Sequence, residues 1–232
     1  MKKIILLAFA FSFAWLPAAN AERPKQPRAP GIESTDYVWD EQSEEEKIAL
    51  KLKGDTTRGE IAYQVCQGCH KPTGIGLPDG SYPQLAGQHI TVLIKQMVDV
   101  REGRRDNQKM FPFSGRHILE TQEVADIAAY LNNLPLPREN SKGAGTDLKR
   151  GEMLYHRDCT SCHGDLGEGN AEKFYPVTAG QHYSYMTRQL VEIRDGKRRN
   201  ANPKMVKIIQ NYTETDMAAV ADYMSRLTTI EK

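Results

Sequence analysis

Cysteine is scarce in this 232-residue chain, which has four, and tryptophan is scarcer still, at two. Four cysteines are too few for a disulfide-dense scaffold. Long hydrophobic runs are also lacking. One short apolar stretch, Ile4 to Leu16, is all there is, and a spanning helix needs roughly 20 such residues. A polytopic membrane protein is therefore excluded. Charge of one sign is missing too. The formal net charge is +1, from 31 basic and 30 acidic residues, which gives no support to nucleic-acid binding. What is there is a chain long enough for one or two domains, with 39% hydrophobic residues, modest for two cores.

The apolar start has the marks of a processing signal. Lys2 and Lys3 precede it, Pro17 follows, and Ala19-Asn20-Ala21 fits the small-x-small cleavage rule. A secretory signal peptide over residues 1–21 is expected, with the mature protein exported to the periplasm and holding no transmembrane segment. In an oxidising compartment four cysteines would by default form two disulfides. Their spacing points elsewhere. Cys66-Gln67-Gly68-Cys69-His70 and Cys159-Thr160-Ser161-Cys162-His163 are both C-x-x-C-H, the attachment pattern of c-type haem. Two thiols at this spacing reach the two vinyl groups of one porphyrin edge, and the adjacent histidine offers its imidazole to the iron. Two covalently attached haem c groups are expected, with no disulfide. A zinc site or redox dithiols would not need the complete motif twice.

The chain repeats itself at an offset of 93 residues. His70 maps to His163, Tyr82-Pro83 to Tyr175-Pro176, Ala86-Gly87-Gln88-His89 to Ala179-Gly180-Gln181-His182, and Tyr130 to Tyr223. Upstream, Arg58-Gly59-Glu60 matches Arg150-Gly151-Glu152 with a one-residue shift. Such duplication implies one module used twice. The reading is all-α: an extension over 22–54, a first domain over 55–136, a linker over 137–146 and a second domain over 147–232. Asp55 and Asp147 stand where helix N-caps belong. Ile90, Leu93, Ile94, Met97 and Val98 follow helical spacing, and Gly103 and Gly196 are stops. The last helices carry Val124, Ile127, Ala128 and Leu131, matched by Met217, Val220, Ala221 and Met224. In the extension, a short amphipathic helix is expected within Asp40 to Lys53. The extension itself reads as a strap packed across a module or as a docking segment.

Comparing the two copies screens candidates for the second axial ligand. Met97, Met153, Met186, Met217 and Met224 each face an aliphatic residue in the other copy, so they read as core fillers. Only Met110 and Met205 match each other, allowing a two-residue insertion in the second copy. They are assigned as distal ligands opposite His70 and His163. His89 and His182 also pair, and would give bis-histidine haems of lower potential. They stand only nineteen residues after the proximal histidines, and read as structural, bonding locally.

Two C-x-x-C-H modules, each followed by Tyr-Pro, Ala-Gly-Gln-His and a late methionine, resemble the dihaem cytochromes c4, tandem class I cytochromes c. The resemblance covers about Asp55 to Leu227. It implies two all-α domains facing each other across a pseudo-twofold axis, His/Met ligation in both, and electron carriage in the bacterial periplasm. It also implies that the carbonyls of Pro83 and Pro176 receive the proximal imidazoles, and that Gly59 and Gly151 meet Tyr130 and Tyr223 where first and last helices cross. The extension is the departure from that pattern.

The expected function is electron transfer between a donor and an acceptor protein. The alternatives are a fixed subunit of a larger oxidoreductase or oxidase complex, or a dihaem peroxidase or thiosulfate dehydrogenase. Such enzymes need one unusual distal ligand, whereas both modules here carry the same methionine. Charge suggests where a partner docks. Arg194 to Lys207 holds six basic residues against Asp195 alone, net +5 beside Met205. An acidic partner at this stretch is the docking expectation, and neutralisation of haem propionates is the alternative use of these arginines.

Overall fold

Apolar residues at helical spacing, closed by caps and glycines, give the chain eleven α-helices among its described residues. The computed structural model describes residues 25–228, and the signal-peptide reading lies outside them. The extension contributes α1 (Glu44–Lys51). The first module follows with α2 (Thr56–Ala62), a 3₁₀ turn (Tyr63–Cys66), α3 (Gln67–His70), α4 (Ile90–Glu102), α5 (Phe111–Ser114) and α6 (Thr121–Asn133). The second repeats it as α7 (Leu148–Asp158), α8 (Thr160–His163), α9 (Tyr183–Arg194), α10 (Pro203–Ile209) and α11 (Glu214–Arg226). The one β feature among the described residues is an isolated bridge, Asn170 to Tyr175.

Each module closes on its own apolar core. Tyr63, Ile94, Val98, Ile127 and Leu131 are buried in the first, and Tyr155, Met186, Leu190, Met217 and Val220 in the second. The cores form where the first and last helices of a module cross. At that crossing a side chain on Gly59 would meet the Asp126 carbonyl at 2.1 Å and Tyr130 Cβ at 2.8 Å. Gly151 stands the same way against the Ala219 carbonyl at 2.1 Å and Tyr223 Cβ at 2.9 Å. The backbones touch because neither glycine has a Cβ.

Local signals mostly act as read. Asp55 accepts the Arg58 N–H at 2.8 Å and caps α2. Asp147 holds the cap position of α7, but its side chain makes no cap bond. Gly103 ends α4 in the left-handed conformation, while Gly196 lies one residue beyond the cap of α9. Four of the five methionines read as core fillers are buried; Met153 is instead 54% exposed, and its counterpart Ile61 is 64% exposed. That face of the helix points away from both cores. The short helix α10 was not expected. Asn202 caps it through the Lys204 N–H, and Pro203 occupies its first position, a start signal present in the sequence.

The modules face each other through a symmetric set of bonds. Gln88 donates to the Val177 carbonyl at 3.0 Å and accepts its N–H at 2.9 Å. At the offset of 93, Gln181 does the same with Gln84, at 2.9 Å both ways. His89 Nε2 donates to the Glu168 carbonyl at 2.8 Å, and His182 Nε2 to the Ile75 carbonyl at 2.6 Å. These two histidines are structural, but they bond across the interface and not locally as expected. His182 Nδ1 also accepts the Ser141 N–H at 3.1 Å, so both its nitrogens are used and no lone pair is left for iron.

The extension is a strap over both modules. Gln26 bonds the Val100 and Arg105 carbonyls of the first. Arg199 of the second is 5% exposed and bonds Glu33 and the Ala29 carbonyl in the strap, and the Gly103 carbonyl and Asp106 in the first module. Trp39 stacks on Tyr175 at 5.8 Å, and the Lys95 ammonium sits over its ring. Helix α1 then packs on α4 and α6, with Ala49 fully buried.

Candidate metal centres

Each C-x-x-C-H motif starts at the cap of a short helix, Cys66 of α3 and Cys159 of α8, soon after the first helix of its module. The fold pins each turn from behind. Tyr63 Oη donates to the Lys71 carbonyl at 3.0 Å, and Tyr155 Oη to the Gly164 carbonyl at 2.6 Å. Lys71 and Gly164 follow the histidines with positive φ, at 66° and 76°, and end the short helices immediately after each ring. Sequence reading missed these tyrosines, although they pair at the same one-residue shift as Gly59 and Gly151.

The imidazoles are fixed identically. His70 Nδ1 lies 3.1 Å from the Pro83 carbonyl, and His163 Nδ1 lies 3.1 Å from the Pro176 carbonyl. A carbonyl only accepts, so Nδ1 carries the proton and Nε2 presents its lone pair. Burial lowers the pKa of both rings, which keeps them neutral despite the bond to the proline carbonyl. A neutral imidazole oriented through its second nitrogen is what an axial ligand requires.

None of the four cysteines is disulfide-bonded, and all are partly buried. Burial, with the neighbouring Cys69, pushes the Cys66 thiol up to about 11. Burial, with Asp158 and Cys162 nearby, pushes the Cys159 thiol up to about 12. These remain neutral thiols at neutral pH, unlike the low-pKa thiolates of redox dithiols. The donor set therefore fits a porphyrin held by thioether bonds with an imidazole on its iron.

The methionines lie where each core opens. Met110 caps α5 and packs, partly buried, against the first core; Met205 lies on α10 and packs against the second. Their stretch was read as non-periodic, and in the second module it is helical.

The basic stretch after α9 divides. Arg194 pairs with Asp195 and donates to the Tyr212 carbonyl. Arg199 is absorbed by the strap junction. Arg198 meets its counterpart Arg105, and the two guanidiniums share Gln96 and Gln189 at 2.7 to 3.2 Å. Partial burial and the adjacent Arg105 push the Arg198 guanidinium down to about 10. Lys197, Lys204 and Lys207 remain exposed. Among the described residues no helix is long and apolar enough to cross a membrane.

Known proteins show the same organisation. The family model for cytochrome c matches residues 56–135 and again 148–228. Cytochrome c4 of Azotobacter vinelandii is 33% identical over 195 residues, covering 75% of this chain and 90% of its own. The thiosulfate dehydrogenase electron acceptor of Stutzerimonas stutzeri is 32% identical, over 72% of this chain and 80% of its own. The crystal structure of reduced cytochrome c4 from Pseudomonas stutzeri superposes with a TM-score of 0.66 at 29% identity, covering 75% of this chain and all of that one. The family model leaves residues 1–55, and with them the strap, unmatched. With the motif, the proline-held histidine and the glycine crossing each present twice, this chain belongs to the cytochrome c family, as an electron-transfer cytochrome of the c4 type with two covalently bound haem c groups and not as an enzyme.

Proposed function

We propose that this protein is an exported periplasmic carrier that passes electrons from a donor protein to an acceptor protein. Cys66 and Cys69 hold one haem and Cys159 and Cys162 the other, with His70 and Met110, and His163 and Met205, as axial pairs. The domains run over 55–136 and 147–232, joined by the linker 137–146, behind a signal peptide over 1–21 and the extension over 22–54. Each haem, when bound, supplies a one-electron iron couple. The protein fixes the imidazoles, supplies a thioether that raises the potential relative to a second histidine, and excludes water from the core. The observation that carries this reading is the identical Nδ1-to-carbonyl bond at both histidines. Arg105 and Arg198, side by side, favour the haem propionates as counter-ions.

Docking of an acidic partner falls to Lys197, Lys204 and Lys207, since the arginines of the stretch are engaged internally. Fractionation and mass spectrometry test export: the holoprotein is expected with the periplasmic contents, starting at Glu22 and heavier by two haems. Recovery with the cytoplasmic contents contradicts export, and recovery in membranes with residues 1–21 still attached contradicts cleavage. Reduction by an acidic redox partner is expected to slow with added salt; a rate independent of salt contradicts the lysine surface.

A further inference from the structure

Because the chain is a duplication, every surface on one module has a counterpart on the other, and one such pair is treated differently. The outer face of α4 is covered. Trp39 of the strap lies under the Lys95 ammonium at 5.9 Å. Arg104 donates to the Glu41 carbonyl at 2.8 Å and lies 3.8 Å from the Glu46 carboxylate. Ala49 of α1 joins Ile94 and Val98 in the first core. Among the described residues the corresponding face of α9 is open. A shallow groove of about 480 Å³ runs along it, lined by Thr187, Arg188, Val191, Glu192 and Lys197, the counterparts of Ile94, Lys95, Val98, Asp99 and Arg104. The side chain of Lys95 is 4% exposed and that of Arg188 40%; Arg104 is 16% exposed and Lys197 71%.

We propose that this groove on α9 is a docking site for a partner protein's segment of the same chemistry as the strap: an aromatic residue followed by a run of carboxylates. The strap itself defines that chemistry. From Trp39 to Glu46 it carries five carboxylates and no cation. Its aromatic ring meets the cation on the helix, and its acidic run meets Arg104. The matching cations are Arg188 on α9, one face of which lies over the Tyr185 ring at 5.3 Å and which stands 3.7 Å from Glu192, and Lys197 just beyond the end of the helix. The start of α9, which lines one end of the groove, packs on the loop that follows the first haem motif. Trp39 stacks on Tyr175, and the counterpart of Tyr175 is Tyr82, whose ring meets the His70 ring edge-on at 5.9 Å. The loop before Tyr82 packs on the start of α9, where a Cβ on Gly80 would meet the Tyr185 nitrogen at 2.4 Å. An aromatic residue held over Arg188 thus lies beside Tyr82, as Trp39 lies beside Tyr175. The strap closes the approach next to the second motif, and among the described residues Arg188 and Lys197 stay exposed on the equivalent face next to the first. The use of that approach for electron input rests on the carrier reading above; docking in the groove does not.

The probe is a fluorescein-labelled synthetic peptide with the sequence of residues 36–47, added to the oxidised holoprotein and followed by anisotropy, with no turnover involved. Saturable binding is expected, weakened about tenfold or more by the Arg188→Glu, Lys197→Glu double variant. It is expected to weaken likewise when alanine replaces the peptide's tryptophan, a change that leaves the protein untouched. No saturable binding up to about 1 mM overturns the proposal. Binding indifferent to the two substitutions overturns it too, because the peptide then acts elsewhere, as by displacing the strap. A holoprotein dimer in sedimentation that Arg188→Glu dissolves also overturns it, by making a second copy the occupant.

Discussion

Glu45 shares one carboxylate between Arg101, buried with it, and Arg116, which is exposed; Thr121 donates to the same group. Removing it strands the Arg101 guanidinium in the interior. Glu45→Ala is expected to cost about 3–5 kcal/mol of holoprotein stability. Burial opposes ionisation of this carboxyl, but Arg116 and Arg101 outweigh it and hold the folded pKa below the ordinary 4.5. A depressed carboxyl pKa stabilises the fold above the unfolded value and loses that effect as pH falls through the folded value. The gap between wild type and Glu45→Gln in urea denaturation should therefore be full at neutral pH and shrink below 4.5. A gap that grows on acidification contradicts the pairing. Single residues were unevenly legible. Cys66, Cys69, His70 and their counterparts stand out because thioether chemistry dictates their spacing. Tyr63 and Tyr155 do not, since one hydroxyl on one carbonyl leaves no pattern beyond the repeat. The role of His182 depends on Ile75, more than a hundred residues away in sequence, and no local signal carries that.

Helices were legible where apolar period and caps agree, as in α4, α6, α9 and α11. They were less so where tertiary contact decides. Asp147 has the right identity and place for a cap yet makes no cap bond, and α10 starts from an Asn-Pro pair inside a stretch with no clear period. The crossing of first and last helices depends on two glycines. A Cβ at Gly59 or Gly151 needs the helices to part, because what it meets is backbone oxygen and not the end of a flexible side chain. Gly59→Ala and Gly151→Ala are each expected to lower stability by about 1–3 kcal/mol, read from thermal unfolding of the holoprotein. Each should act in its own module. Unchanged melting in both variants contradicts the close crossing.

At the scale of the molecule, two small modules would each struggle to bury enough apolar surface. Two things offset this: a porphyrin inside each core, and the symmetric interface with a strap across it. The repeat made the modules legible, but not how firmly they are joined, because the strap has no counterpart and its key partner, Arg199, lies in a stretch that reads as docking charge or as propionate counter-ions. Wild-type holoprotein is expected to unfold in a single calorimetric transition, and Arg199→Ala to split it into two at lower temperature. Two transitions in the wild type contradict the junction. The ligand pairs are the centre of the functional reading, and a redox titration followed by absorption tests them most directly. Both haems of the oxidised protein should show the far-red thioether–iron band. Met110→His and Met205→His should each remove it from one haem and lower that haem's potential. A wild-type spectrum lacking the band at either haem, or potentials unmoved by both substitutions, would contradict His/Met ligation.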